Sequence, residues 1–160
     1  MTNKIEEKII VGVLSDTHGV LFPGVVDALK DVNLIVHAGD ICDSDIIKKL
    51  KMIAPVVAVR GNMDHGNQAG YFLESEKVKA GDLFMFVVHD LYKHGIENIP
   101  SDCDVVVFGH THRPLSEKRE GVQYLNPGSA GQCRHGFPHT IAIITISGGS
   151  FDTNFIKVDE

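Results

Sequence analysis

The sequence predicts an α/β fold in which two β layers pack together and helices lie outside them. Three observations predict it. Short Val/Ile-rich runs recur, each closed by glycine or a polar turn residue, as buried strands are. In the first half these runs alternate with helical segments, and strand–helix–strand alternation implies parallel pairing with right-handed crossovers. In the second half strands follow one another through glycine turns, so a second sheet packed on the first is expected.

The first run, IIVGVL (Ile9–Leu14), gives way to SDTHG. PGVVDALK then opens on Pro23, which suits a first helical turn because its missing N–H has no partner there anyway. NLIVHA (Asn33–Ala38) ends in Gly-Asp. DSDIIKKLKM follows, with Asp43 or Ser44 as its cap and lysines toward the end that the helix dipole favours for cations. APVVAV (Ala54–Val59) ends in RGNMD. YFLESEKVKAGDLFMFVV reads as two strands around Gly81–Asp82, the second ending in His-Asp. DVVVF (Asp104–Phe108) ends in GHTH, and HTIAIITISGGSFDTNFIKV reads as a hairpin around Gly148 and Gly149. No repeat, linker or low-complexity tract interrupts the chain, so residues 1–160 read as one domain.

Composition narrows the function. A formal charge of −6 argues against a nucleic-acid backbone as the main partner, because such binders carry basic patches. An acidic excess is also what a cation site looks like before its metals are counted. Cys42, Cys103 and Cys133 are odd in number and widely spaced, a poor framework for disulfides or a thiolate zinc site. The polar start MTNKIEEK does not read as a signal peptide, and no apolar run approaches membrane-spanning length. A cytoplasmic protein is expected. Homo-oligomerisation stays open.

The chemistry collects at the strand ends. In order the runs finish in Asp16 and His18, Asp40, Asn62, His89, then His110 and His112. Ligands of α/β folds favour the crevice beyond the carboxyl ends of parallel strands. If the extended form continued past Phe108, alternation would aim His110 and His112 at one point. Two carboxylates, an amide and four imidazoles suit manganese, iron, zinc, nickel or cobalt, whereas magnesium and calcium sites use few imidazoles. Seven ligands exceed one ion's needs and suit two ions about 3.5–4 Å apart. Cations that close need an anion between them, for which a carboxylate and a hydroxide are natural.

SDTHG, HAGD, RGNMD, VVH and GHTH, in that order, resemble the successive motifs of the calcineurin-like metallophosphoesterases. NPGS (Asn126–Ser129) further resembles the small YfcE-like phosphodiesterases. The resemblance spans about Val11 to Ser129. It implies a four-layer α/β/β/α sandwich of two packed mixed β-sheets flanked by helices. It implies that Asp16, His18 and His112 hold one divalent ion, that Asn62, His89 and His110 hold the other, and that Asp40 bridges them. Manganese is the first expectation for the metal pair. The implied activity is hydrolysis of a small phosphate ester, a diester foremost, by in-line attack of a hydroxide bridging the ions. Asp40, Asn62 and His110 are the implied catalytic residues.

Departures from that pattern are specific. Many relatives have His-Gly-His where this chain has His89-Asp90-Leu91, and Leu91–Ser101 is shorter than the usual helical stretch. His94 either substitutes for the missing histidine or lies on the surface. Larger phosphoprotein phosphatases carry a histidine directly after the metal-binding asparagine, where this chain has Met63. Without that proton donor, activated leaving groups such as aryl phosphodiesters are favoured. The alternative implied by the same resemblance is a protein-interaction scaffold similar to a retromer subunit with a degraded metal site. Completeness of the ligand set favours the enzyme.

Other residues carry two readings each. His37 is either a group that orients a ligand or a hydrogen-bonded histidine at a strand end; Asp64 either orients a ligand or caps a turn. Arg60 and Arg113 either contact phosphate or form ordinary ion pairs. Cys42 suits packing as well as redox chemistry. His65, His135 and His139 have no evident partner, and NPGS reads as a turn beside the site.

Overall fold

The computed structural model describes residues 7–66, 71–133 and 136–160. Its strands in chain order are β1 (Ile9–Leu14), β2 (Leu34–His37), β3 (Val56–Ala58), β4 (Ser75–Ala80), β5 (Leu83–Val88), β6 (Val105–Val107), β7 (Leu115–Arg119), β8 (Val122–Asn126), β9 (Thr140–Ser147) and β10 (Ser150–Lys157). Helices α1 (Pro23–Ala28) and α2 (Ser44–Lys51) make the crossovers between the parallel strands β1, β2 and β3. Pro23 begins α1 as read from the sequence. The α2 cap is Asp43, whose carboxylate accepts the Asp45 N–H. A short α3 (Leu91–His94) and a 3-10 turn (Ile96–Asn98) follow β5.

Two mixed five-stranded sheets result, in the orders β10-β9-β1-β2-β3 and β4-β5-β6-β8-β7. The late strands do not all gather in the second sheet. The C-terminal hairpin returns to the first, with β9 antiparallel to β1. The physical reason lies in β9: Ile141 and Ile143 face one side, Ala142, Ile144 and Ile146 the other. A strand apolar on both faces belongs where both are covered. The β7–β8 hairpin is an element the sequence reading did not anticipate; it turns at Glu120 and Gly121, both at positive φ (48° and 83°), as tight primed hairpin turns require.

Alternation sorts the apolar residues into three clusters, and these define four layers. Val11, Val13 and Val36 of the first sheet meet Met85, Val87, Val105 and Val107 of the second in the central core. Leu14 and Ile35, on the opposite face of the first sheet, pack with Val25 of α1, Leu29 directly after it, and Ile46 and Leu50 of α2. Phe86, Val88 and Val106, on the outer face of the second sheet, pack with Leu91 of α3. The second helical layer is thus little more than one turn. Among the described residues no helix is long and apolar enough to cross a membrane. The parallel strands of both sheets end on one edge, and the loops leaving that edge carry the candidate ligands.

Candidate metal centre

The loops that leave β1, β2 and β6 are folded through left-handed backbone. Asp16, His18, Asp40, His110 and His112 have φ of 57°, 46°, 53°, 70° and 59°. Among the described residues other than glycine, only Cys42 and Glu120 share that region. Each such residue costs about 1–2 kcal/mol relative to ordinary backbone, so the fold must hold it there. Backbone bonds between the loops do so: Asp16 N–H to Gly39 O (3.0 Å), His18 N–H to Asp40 O (2.9 Å) and Gly109 N–H to His89 O (3.0 Å). The extended form therefore stops at Gly109, and His110 and His112 part company rather than sharing one point.

His112 goes to one side. Its Nδ1 donates to the Gln132 carbonyl (3.2 Å), which leaves Nε2 with a lone pair facing Asp16 Oδ1 (3.2 Å) and His18 Nε2 (3.3 Å). His110 goes to the other, with Nδ1 3.1 Å from Asn62 Oδ1. His89 joins it there. Its Nδ1 donates to the Ala38 carbonyl (2.7 Å), and its Nε2 faces Asn62 Oδ1 (3.0 Å) and Asp40 Oδ2 (3.3 Å). Asp40 lies between the two sides, because the same Oδ2 is 3.5 Å from His18 Nε2. All seven residues named from the sequence are gathered at one place.

The surrounding groups hold the loops rather than face the centre. A Cβ on Gly61 would overlap the Asp40 carboxylate and its backbone nitrogen, and one on Gly109 would overlap Ser15 Oγ, so only glycine lets these loops approach. Asp64 accepts three backbone N–H groups, from Ile41 and Cys42 (2.9 Å each) and Gly61 (2.8 Å), tying the loops after β2 and β3 together. His37 accepts the Gly39 N–H at Nδ1 (3.2 Å), so its Nε2–H donates to Thr17 Oγ1 (3.1 Å), which donates to Ile41 O (3.2 Å). Both readings of His37 and of Asp64 thus merge: each is a satisfied polar group that fixes ligand-bearing backbone. Asn126 and Ser129 of NPGS do the same, Asn126 donating to Gly109 O and Thr111 Oγ1 (3.0 Å each) and Ser129 Oγ to Asp16 O (3.0 Å).

Electrostatics follow from this crowding. Burial opposes ionisation of Asp16, but the imidazoles of His112 and His18 outweigh it and hold the carboxyl well below the usual range. Burial likewise opposes ionisation of Asp40, and His89 with the Met63 N–H brings its pKa below normal. The converse holds at His89, where burial favours the neutral ring and the Asp40 and Asp16 carboxylates raise its pKa nonetheless. Burial pushes His37 down to about 4, and with the nearby carboxylates pushes the Cys42 thiol up to about 11. Cys42 is therefore a neutral thiol, packed 3.9 Å from His18 Nδ1.

Outside the centre several expectations change. His94 is not a surface histidine: it is half-buried against the Phe86 ring, and its Nε2 is buried without a hydrogen-bond partner. Arg60 pairs with Glu74 (2.7 Å), while Arg113 is exposed. His139 has partners after all, Cys133 Sγ 3.2 Å from Nδ1 and Glu160 Oε1 3.1 Å from Nε2. His65 is exposed, and His135 lies outside the described residues. The sequence reading missed Asp90, whose Oδ2 stands 3.5 Å from His110 Nε2; its place directly after His89, in a departure from the family pattern, was the available signal.

The donor set fits divalent cations. Asp16 Oδ1 is fully buried and receives no hydrogen bond. Lone pairs of His112, His18 and Asp16 converge on one side, and those of His89, Asn62 and Asp40 on the other. Asp16, His18 and His112 form one group, and Asp16, Asp40 and His89 another, with ligand atoms in each within 4.8 Å of one another. Unprotonated oxygens and nitrogens facing each other in a buried site repel unless a cation lies among them. Oxygen with imidazole nitrogen suits borderline divalent metals.

Comparison with known proteins agrees. Residues 9–149 match the calcineurin-like phosphoesterase superfamily domain. A probable metallophosphoesterase of Methanothermobacter thermautotrophicus is 32% identical over 163 residues, covering 92% of this chain and 92% of that protein. The Escherichia coli phosphodiesterase YfcE is 30% identical over 109 residues, 62% of this chain and 58% of that one. Among solved structures, vacuolar protein sorting 29 from Cryptosporidium parvum superposes with a TM-score of 0.73 at 20% identity, covering 96% of this chain and 99% of that one, a likeness of fold. With a family match across most of its length and a full-length relative at this identity, the chain belongs to the calcineurin-like phosphoesterase superfamily.

Proposed function

We propose that this chain is a single-domain phosphodiesterase that works with two divalent ions, manganese foremost. The carrying observation is the position of Asp40: one carboxylate oxygen faces His18 on one side (3.5 Å) and His89 on the other (3.3 Å). Asp16, His18 and His112 would hold the first ion, Asn62, His89 and His110 the second, with Asp40 common to both. When bound, such a pair supplies Lewis-acid charge at the phosphoryl oxygens and a water acidified enough to attack at neutral pH. The chain's own part is positional. Asp64, His37, Asn126 and Ser129 lock the loops, so the ligands need no reorganisation as charge develops on the phosphoryl group.

Two features support a diester with an activated leaving group. A cleft of about 440 Å³ opens beside Asn62 and His89, with Val88, Lys93 and His94 among its walls, giving room for a second ester substituent. Met63, directly after Asn62, has no proton to give a leaving alkoxide, so a phenolate that leaves unprotonated is favoured. The test is manganese-dependent cleavage of an aryl phosphodiester by Asp40→Asn and His110→Ala proteins whose circular dichroism matches wild type. Turnover should fall by about 100-fold or more in each. Unchanged turnover in either variant, or no turnover by wild-type protein that has taken up two ions, would overturn the reading.

A further inference from the structure

We infer that Asp90 is a positioning residue for the second ion, its carboxylate holding the outer nitrogen of His110 so that Nδ1 is presented to the metal. The inference rests on the two-ion reading and deepens it. Each of the four imidazoles has one nitrogen turned into the centre and the other turned away. For His89 and His112 the outward nitrogen is Nδ1, held by the carbonyls of Ala38 and Gln132 at 2.7 and 3.2 Å. For His18 it is also Nδ1, 3.9 Å from the Cys42 sulfur. His110 is reversed: Nδ1 lies inside, 3.1 Å from Asn62 Oδ1, and Nε2 points out. The group it meets is Asp90 Oδ2 at 3.5 Å.

His110 needs such an anchor more than the others do. Its side chain is 42% exposed, against 2–14% for the other three, so packing alone does not fix the ring. A carboxylate accepts a proton and offers none, so it holds hydrogen on Nε2 and leaves the Nδ1 lone pair for the cation. Asp90 is itself fixed, because its other oxygen, Oδ1, accepts the Lys93 N–H at 3.1 Å and caps α3. One oxygen caps the helix and the other faces the imidazole. A glycine at this position, as in the His-Gly-His pattern, could provide neither contact, so the device is absent wherever that pattern holds.

Calorimetric titration of metal-free protein with manganese separates the two roles of Asp90. Asparagine and serine are both favoured cap residues, but each brings a single acceptor oxygen. Asp90→Asn and Asp90→Ser should therefore keep the cap and lose the anchor. Wild-type protein should bind two ions. In both variants one binding event should weaken by about 10-fold or more while the other holds, with the metal-free melting temperature unchanged. Wild-type isotherms from both variants would reduce Asp90 to a helix cap, and equal weakening of both events would make its effect general rather than directed at His110. A wild-type protein that binds fewer than two ions would remove the two-ion reading, and this role of Asp90 with it; two ions with unaltered variants would remove the role alone.

Discussion

At His37 the chain buries an imidazole completely and still satisfies both ring nitrogens, with Gly39 on one and Thr17 on the other. That network needs the neutral ring, because protonated Nδ1 could no longer accept the Gly39 N–H. The consequence is a pH-dependent stability with a definite sign. The folded pKa is depressed to about 4 from an ordinary 6.5, so between these values the unfolded chain binds a proton that the folded chain refuses. Stability from this group is complete above about pH 6.5, falls as pH drops toward 4, and declines no further below it. Protonating the unfolded chain across that window costs the fold about 3 kcal/mol. The depressed carboxyls of Asp16 and Asp40 act lower, below the ordinary carboxylate range, and the raised His89 acts above pH 6.5. Urea denaturation of metal-free His37→Asn protein should show lower stability at pH 7 and a flattened slope between pH 6.5 and 4. A slope equal to wild type would show that His37 titrates normally. The candidate ligands could be picked out of the sequence because their residue types are distinctive at strand ends. The two readings of His37 and of Asp64 stayed open, since these residues have the same chemistry as His89 and Asp40, and only the third dimension shows which polar atoms face one another.

The loops between elements are the parts under tightest constraint. The loop after β3 passes the loop after β2 so closely that Gly61 is packed against Asp40 itself. A methyl group there would press on the Asp40 backbone nitrogen as well as its carboxylate, so no rotamer change relieves it. Gly61→Ala should destabilise the protein by about 1–3 kcal/mol, the range for overpacking, and should weaken metal binding besides. Denaturation and manganese titration of one preparation measure both; an alanine tolerated in both would mean that the loops separate more easily than their hydrogen bonds imply. Strand legibility divides along the same physical line. Runs such as Ile9–Leu14 and Leu83–Val88 could be read because both their faces are covered and the residues are apolar throughout. β7 escaped notice because Leu115–Arg119 is an exposed edge strand carrying Glu117, Lys118 and Arg119, the composition that keeps sheet edges from pairing with other chains. The C-terminal hairpin was legible as a hairpin, yet its sheet was not, because alternation reports which faces are buried and says nothing of which strand lies alongside.

Across the whole molecule, the core and the candidate centre are separable. The central core is built of apolar side chains between the two sheets, whereas the seven candidate ligands all stand on the loops beyond the strand ends. The fold should therefore survive without metal. Binding of an ion to the folded chain alone then appears directly as stability: at 100 times the dissociation constant each site adds about 2.7 kcal/mol, so two independent sites add about 5 kcal/mol. For a chain of this size that corresponds to a rise of about 10–20 °C in melting temperature. Wild-type protein should show that rise with manganese and lose it with a chelator, remaining folded throughout. Asp40→Asn should lose most of the rise, because its carboxylate faces both ligand groups, whereas Asp90→Asn should lose only the share that belongs to one site. A metal-free protein already unfolded at room temperature would contradict the separation of core from centre. A melting temperature indifferent to saturating manganese would contradict the cation fit itself.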